Sequence, residues 1–174
     1  MSIVTKTGDD GTTAIFSGKR LTKDDAQIEA CGAVDEATSF VGFAIESISE
    51  KQVKNLLSDV QVHLYLIMAY LSGSSLDVKR IKKHLSVIES AIQKYENTLP
   101  RLTRFILPQG SEQTSRLHIG RAMVRSAERR VTCFLYNKDA QNKNDALTLQ
   151  YMNRLSDLLF ILARFFDKNE AIAV

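Results

Sequence analysis

SRLHIGRAMVRSAERRV (Ser115–Val131) separates its apolar and charged residues onto two faces when it is wound as an α-helix. With about 100° per residue, His118, Arg121, Arg125, Glu128 and Arg129 fall within an arc of roughly 100°. Ile119, Met123, Val124, Ala127 and Val131 lie on the other side. Leu117 is at the border, and Arg116 and Arg130 point away from the charged cluster. Such a helix must bury its apolar stripe against neighbours of the same kind.

Those neighbours follow in both directions. Ser111 opens this helix, which runs to about Tyr136. Beyond the polar turn NKDAQNKND (Asn137–Asp145), a further helix covers about Asp145–Asp167. Its stripe is Met152, Leu155, Leu158, Leu159, Leu162 and Phe166, and Asn153, Asp157 and Arg164 share the opposite face. Upstream, LPRLTRFILPQG (Leu99–Gly110) is a loop that holds both prolines. A helix over about Asp77–Asn97 buries Ile81, Leu85, Ile88 and Ile92. Ser49 caps a helix to about Leu71 with Val53, Leu56, Leu57, Val60, Leu64 and Ile67 inward, and SGSS (Ser72–Ser75) ends it. The first helix starts at a Thr22 or Asp24 cap and reaches about Ser49, using Val34, Val41, Ile45 and Ile48. Residues 1–22 read as an irregular loop with a short extended piece at Ala14–Phe16. Long helices with short connections predict an all-α, five-helix bundle with an irregular N-terminal loop.

Composition fits this. The chain has 174 residues, 44% hydrophobic and 25% charged, with 8 glycines and 2 prolines, as expected of one helical domain over 1–174. A net charge of +3 is too small to argue for nucleic acid. The N-terminus has no secretory n- and h-regions, and no apolar run approaches the about 20 residues of a bilayer span. Cys31 and Cys133 are not in metal-ligand spacing. They fit reduced thiols of a cytoplasmic protein, or one long-range disulfide.

Chemistry concentrates in two places. Every basic side chain of the opening helix except His118 is Arg, in a chain that uses Lys freely elsewhere. Arg is preferred where oxyanions are gripped through several N–H donors. The competing reading is a solvated charged face. Asn153 is a poor mid-helix residue, suited to an inter-helix hydrogen bond or to a ligand's polar edge. The second place is TKTGDDGTT (Thr5–Thr13). Gly8 and Gly11 let backbone N–H groups converge on an anion, the threonines add hydroxyls, and Lys6 and Lys23 add charge. The loop lacks the Walker A spacing. A surface turn is the plain reading; beside an arginine face, the loop becomes half of a triphosphate site. His118 lies on the polar arc, and His63 and His84 have no partner in view.

Taken together, TKTGDDGTT, Lys23-Asp24-Asp25 with Glu29, Gly32 and Asp35-Glu36, FILPQG (Phe105–Gly110), Arg121–Arg129 and NRLSDLLFILAR (Asn153–Arg164) resemble, in order, the PduO-type ATP:cob(I)alamin adenosyltransferases. The resemblance implies a ferritin-like, cobalamin adenosyltransferase-like five-helix bundle, usually a homotrimer, with ATP near subunit interfaces. It implies transfer of the 5′-deoxyadenosyl group of ATP to the cobalt of cob(I)alamin, with Mg²⁺ on the phosphates and triphosphate leaving. By position, Thr5, Lys6, Thr7, Gly8, Thr13, Ala14 and Lys23 would line the nucleotide site, completed by Arg121, Arg125, Glu128, Arg129 and Asn153. Lys23, Arg125 and Arg129 would carry catalysis. Asp35 would pair with Arg125 across an interface, and Phe105 would press on the corrin and keep its lower ligand off cobalt. A reductase and an adenosylcobalamin-dependent enzyme would be partners. Ser126 and Gln109 depart from the family pattern; position 126 lies outside the charged arc, so a modest loss is expected there. Two rivals keep the arginine face without the chemistry: a carrier of adenosylcobalamin and an ATP-sensing regulatory bundle.

Overall fold

Asp77, Ser111 and Asn142 each place a side-chain oxygen on backbone N–H groups at a helix start, answering donors that the first turn leaves unpaired. Asn142 also completes a capping box: its oxygen accepts from Asp145 N (3.1 Å) while the Asp145 carboxylate accepts from Asn142 N (3.0 Å). In the computed structural model, which describes residues 4–137 and 142–167, the helices are α1 (Ala26–Ile45), α2 (Lys51–Leu71), α3 (Val78–Glu96), α4 (Glu112–Tyr136) and α5 (Lys143–Phe166). Residues 138–141 of the expected polar turn lie outside that description.

The first boundaries differ from expectation. Asp25, not Thr22 or Asp24, caps α1, its carboxylate accepting from Gln27 N at 2.8 Å. α1 stops at Ile45, short of Ser49, and Ile48 turns into the core from the connection. Glu50 rather than Ser49 precedes α2, with no side-chain cap. The extended piece lies at β1 (Thr12–Ala14), not Ala14–Phe16, and pairs antiparallel with β2 (Arg20–Thr22), Thr12 opposite Thr22.

α1 packs on α2 and α4, α4 packs on α5, and α5 packs on α3. One hydrophobic core draws on all five helices, with Val34, Leu57, Ile81, Val124 and Leu159 fully buried. Leu56, Ile92 and Phe166 are only partly buried at its edge. α4 is gripped from two sides, and its buried line runs through Leu117, Gly120, Val124, Ala127 and Val131. That line rotates Ile119 outward, 42% exposed, against the expectation. It also brings His118 inside, although the arc placed it among the solvated arginines. His63 and His84, without evident partners in the sequence, stack on each other with ring centroids 3.8 Å apart. His84 Nδ1 also meets the Tyr151 hydroxyl at 2.9 Å. Among the described residues no helix is long and apolar enough to cross a membrane.

Candidate functional site

The arginine face of α4 opens into two clefts. The smaller, 370 Å³, is lined by Arg125, Glu128, Arg129 and Thr132 of α4 with Asn153 of α5. Four expected site residues from two helices thus meet in one place. Asn153 is exposed and faces this cleft, which accounts for a polar amide in mid-helix. Arg129 braces back on its own helix, Nη1 donating to the Arg125 carbonyl at 3.2 Å. Ser126 does more than the arc suggested: its hydroxyl accepts from Arg130 Nη1 at 2.9 Å and from Arg129 Nη2 at 3.4 Å. Arg130 is turned away from the cleft by Glu29 of α1, 2.6 Å from its Nε.

The larger cleft, 810 Å³, lies under the 97–111 connection. Its wall is Leu102, Phe105 and Pro108 from the connection, His118, Arg121 and Arg125 from α4, and Phe160 from α5. Arg121 therefore faces this cleft rather than the one that holds Arg129. Arg125 alone lines both. Phe105 stands 88% exposed at the mouth, an apolar ring with almost no contact of its own. The Arg121 guanidinium lies 5.8 Å from the Phe160 ring centroid. Burial, and then the neighbouring charge of Arg125, push its pKa below the usual guanidinium range. Burial, and then Arg121, lower the pKa of His118, so its imidazole is held neutral at pH 7. Sequence periodicity missed Ser156 and Phe160 as cleft residues, because which helix covers them is a tertiary fact.

The threonine-rich loop is a tied hairpin. Lys23 Nζ donates to the Gly8 carbonyl at 2.8 Å, and the Thr5 and Thr7 hydroxyls meet at 2.9 Å. Arg20, which the sequence did not single out, donates to the Thr7 carbonyl and the Thr12 hydroxyl. Thr12 gives the Asp10 carboxylate two hydrogen bonds, of 2.7 and 2.9 Å, which lower its pKa. Gly11 takes a positive φ of 80°, and a Cβ on Gly8 would sit 3.2 Å from the Thr12 carbonyl oxygen. Lys6, without glycine's freedom, also takes a positive φ, 56°. Thr13 and Ala14 line a third cleft, 470 Å³, with Cys31, Gly32, Asp35 and Tyr65.

Within one chain this loop does not close over the arginine face. Among the described residues no hydrogen bond or ion pair joins the two, and Asp35 and Arg125 line different clefts rather than pairing. Nor do three His, Cys, Asp or Glu side chains gather into a group that would hold a metal ion, among the described residues.

Comparison with known proteins gives one consistent result. A family model described as Cobalamin adenosyltransferase matches residues 3–166. Corrinoid adenosyltransferase MMAB of Bos taurus is 39% identical over 178 residues, covering 97% of this chain and 72% of that protein. A corrinoid adenosyltransferase of Bacillus subtilis (strain 168) is 35% identical over 181 residues, covering 99% of this chain and 90% of that protein. Among solved structures, a variant PduO-type ATP:corrinoid adenosyltransferase from Lactobacillus reuteri, complexed with cobalamin and ATP, is similar at a TM-score of 0.84 and 30% identity. The match covers 94% of this chain and 92% of that one.

Proposed function

This chain belongs to the cobalamin adenosyltransferase family, and from that membership we propose which of its residues hold each substrate and how they drive the transfer. The reaction moves the 5′-deoxyadenosyl group of ATP to the cobalt of cob(I)alamin. The Co(I) electron pair forms the Co–C5′ bond while the C5′–O bond breaks, and triphosphate leaves with that bond's electrons. Co(I) is nucleophilic enough to need no protein base. The protein's work is alignment, and stabilisation of charge on the leaving group.

The observation that carries the assignment is the double position of Arg125, on the wall of both clefts. The smaller cleft takes the triphosphate: Arg125 and Arg129 grip its oxygens, Glu128 orients them, and Asn153 reads a polar edge of the nucleotide. The larger cleft takes the corrin, with Phe105 pressed beneath the ring to keep the lower ligand and water off cobalt. C5′ then lies at the seam, beside Arg125. Mg²⁺, when bound, would sit on the phosphate oxygens, hard ligands that suit it, and would add to the positive charge that Arg125 and Arg129 present to the leaving group.

The remaining half of the nucleotide site comes from a second copy. Thr5, Lys6, Thr7, Gly8, Thr13, Ala14 and Lys23 form a polar hairpin that within its own chain covers no arginine cleft. In a homotrimer the hairpin of one copy closes the arginine face of the next, and Asp35 beside the hairpin pairs with Arg125 across that interface. Lys23 then exchanges the Gly8 carbonyl for phosphate. Both cysteines are free, which suits the cytoplasm, where a reductase supplies Co(I) and an adenosylcobalamin-dependent enzyme takes the product. Incubation with cob(I)alamin, MgATP and a reductant should give the adenosylcobalamin spectrum with stoichiometric triphosphate. Binding of both substrates without turnover would identify a carrier instead.

A further inference from the structure

A fourth cleft, 630 Å³, adjoins the corrin cleft at the other side of the connection, between the C-terminal end of α3 and α5. The two are continuous, sharing Leu102, Asp157 and Phe160. Its size is within the range of small-molecule pockets, about 300–1,000 Å³. Ile92, Leu99, Pro100 and Ile161 give it an apolar wall on which a flat ring can lie. Two guanidinium groups, of Arg101 and Arg164, complete it together with the Glu96 carboxylate and the Asn97 amide.

Arg20, Arg116, Arg130 and Arg154 each hold a carboxylate. Among the described residues Arg101 and Arg164 hold none, as is also true of Arg80, Arg104, Arg121, Arg125 and Arg129, so both guanidinium groups stand in the cleft without an ion pair. Arg164 is fixed by one donor, Nη2 to the Pro100 carbonyl at 2.6 Å. Burial lowers its pKa, opposed by the charge of Glu96 on the same cleft wall, and the guanidinium remains charged. Asp157, the other acid on the shared wall, is already engaged by Arg154 Nη1 at 2.9 Å.

We infer that this cleft receives the nucleotide tail of the corrinoid, the ribose phosphodiester and its attached base, once the base has left cobalt. The inference rests on the assignment of the larger cleft to the corrin ring. The tail is tethered covalently to that ring, so a displaced base samples the adjoining space at high effective concentration. The phosphodiester carries one negative charge, matched by Arg101 and Arg164. The base is flat and apolar, matched by Phe160, Pro100 and Ile161. Holding the tail there keeps the lower face of cobalt free for Phe105. It also makes the protein prefer a corrinoid with a tail.

The test compares cob(I)alamin with cob(I)inamide, which has the ring but no nucleotide tail. Arg101 is exposed and, among the described residues, makes no hydrogen bond or ion pair, so Arg101→Glu and the milder Arg101→Ala are suitable variants. Arg101→Glu should raise KM for cob(I)alamin by about tenfold and leave KM for cob(I)inamide within about twofold, the loss of one charge-assisted contact. Arg101→Ala should fall between, and KM for ATP should not move in either. Added salt should weaken cob(I)alamin binding in the unmodified protein more than cob(I)inamide binding. Equal effects on both corrinoids, or no effect on either, would overturn the tail assignment. Failure of the unmodified protein to adenosylate either corrinoid would instead overturn the reading on which it rests.

Discussion

Arg125→Ala tests the placement of bond breaking at little cost to the fold of the single chain. The side chain is exposed and lies on the seam of the two clefts. The contact that reaches this residue, Arg129 Nη1 to the carbonyl at 3.2 Å, uses backbone and survives truncation. Among the described residues its guanidinium makes no hydrogen bond or ion pair within its own chain, so the chain's own stability should change by less than about 0.5 kcal/mol. The effect on the reaction is different in scale. If Arg125 meets charge as the C5′–O bond opens, its loss should raise the barrier by about 3–4 kcal/mol, two to three orders of magnitude in kcat. Arg125→Lys keeps a charge but not the two-pronged donor, so it should recover only part of that loss. The assay is the rise of adenosylcobalamin absorbance under saturating substrates, with thermal unfolding followed in parallel. A kcat within about threefold of the unmodified protein at unchanged stability would refute the placement of bond breaking beside Arg125.

Phe105→Ala should leave stability and KM for ATP near their original values, because the ring is 88% exposed, and should slow the reaction started from cob(II)alamin. Spectra of the bound corrinoid should then show the lower ligand retained on cobalt; an unchanged spectrum and rate would exclude the wedge. His84 gives a pH prediction, since burial and then the charge of His63 lower its pKa from 6.5 to about 4. An unfolded chain therefore binds the proton first on acidification, so stability is full above pH 6.5 and falls as pH drops towards 4. The loss is on the order of 3 kcal/mol, read by urea unfolding at several pH values, and His84→Phe should flatten that part of the profile. A profile as steep in that variant as in the original would place the acid sensitivity elsewhere.

The helices were legible because their signals are local. Ser111 opens its helix where the sequence places it, and the apolar spacing of Val53, Leu57, Val60 and Leu64 shows directly as burial. The hairpin was not legible: each strand is three residues, too short for alternation to register. Ile119 and His118 were misplaced for one reason. α4 is covered by α1 and α5 together, so its buried line is set by two neighbours rather than by its own moment. The gathering of Arg125, Glu128, Arg129 and Asn153 was readable from helical spacing plus family resemblance. The division of Arg121 and Arg129 between two clefts was not, because it depends on where the 97–111 connection lies.

The proposed sharing of the site between copies is tested most directly by mixing two inactive variants. Lys23→Ala spoils the hairpin and Arg129→Ala spoils the arginine face, each leaving the other half intact. Co-refolded in equal amounts, they should form trimers in which roughly a quarter of the interfaces join an intact hairpin to an intact face, with activity recovered in that proportion. Mixed trimers as inactive as the separate variants would mean that both halves must come from one chain, contradicting the account.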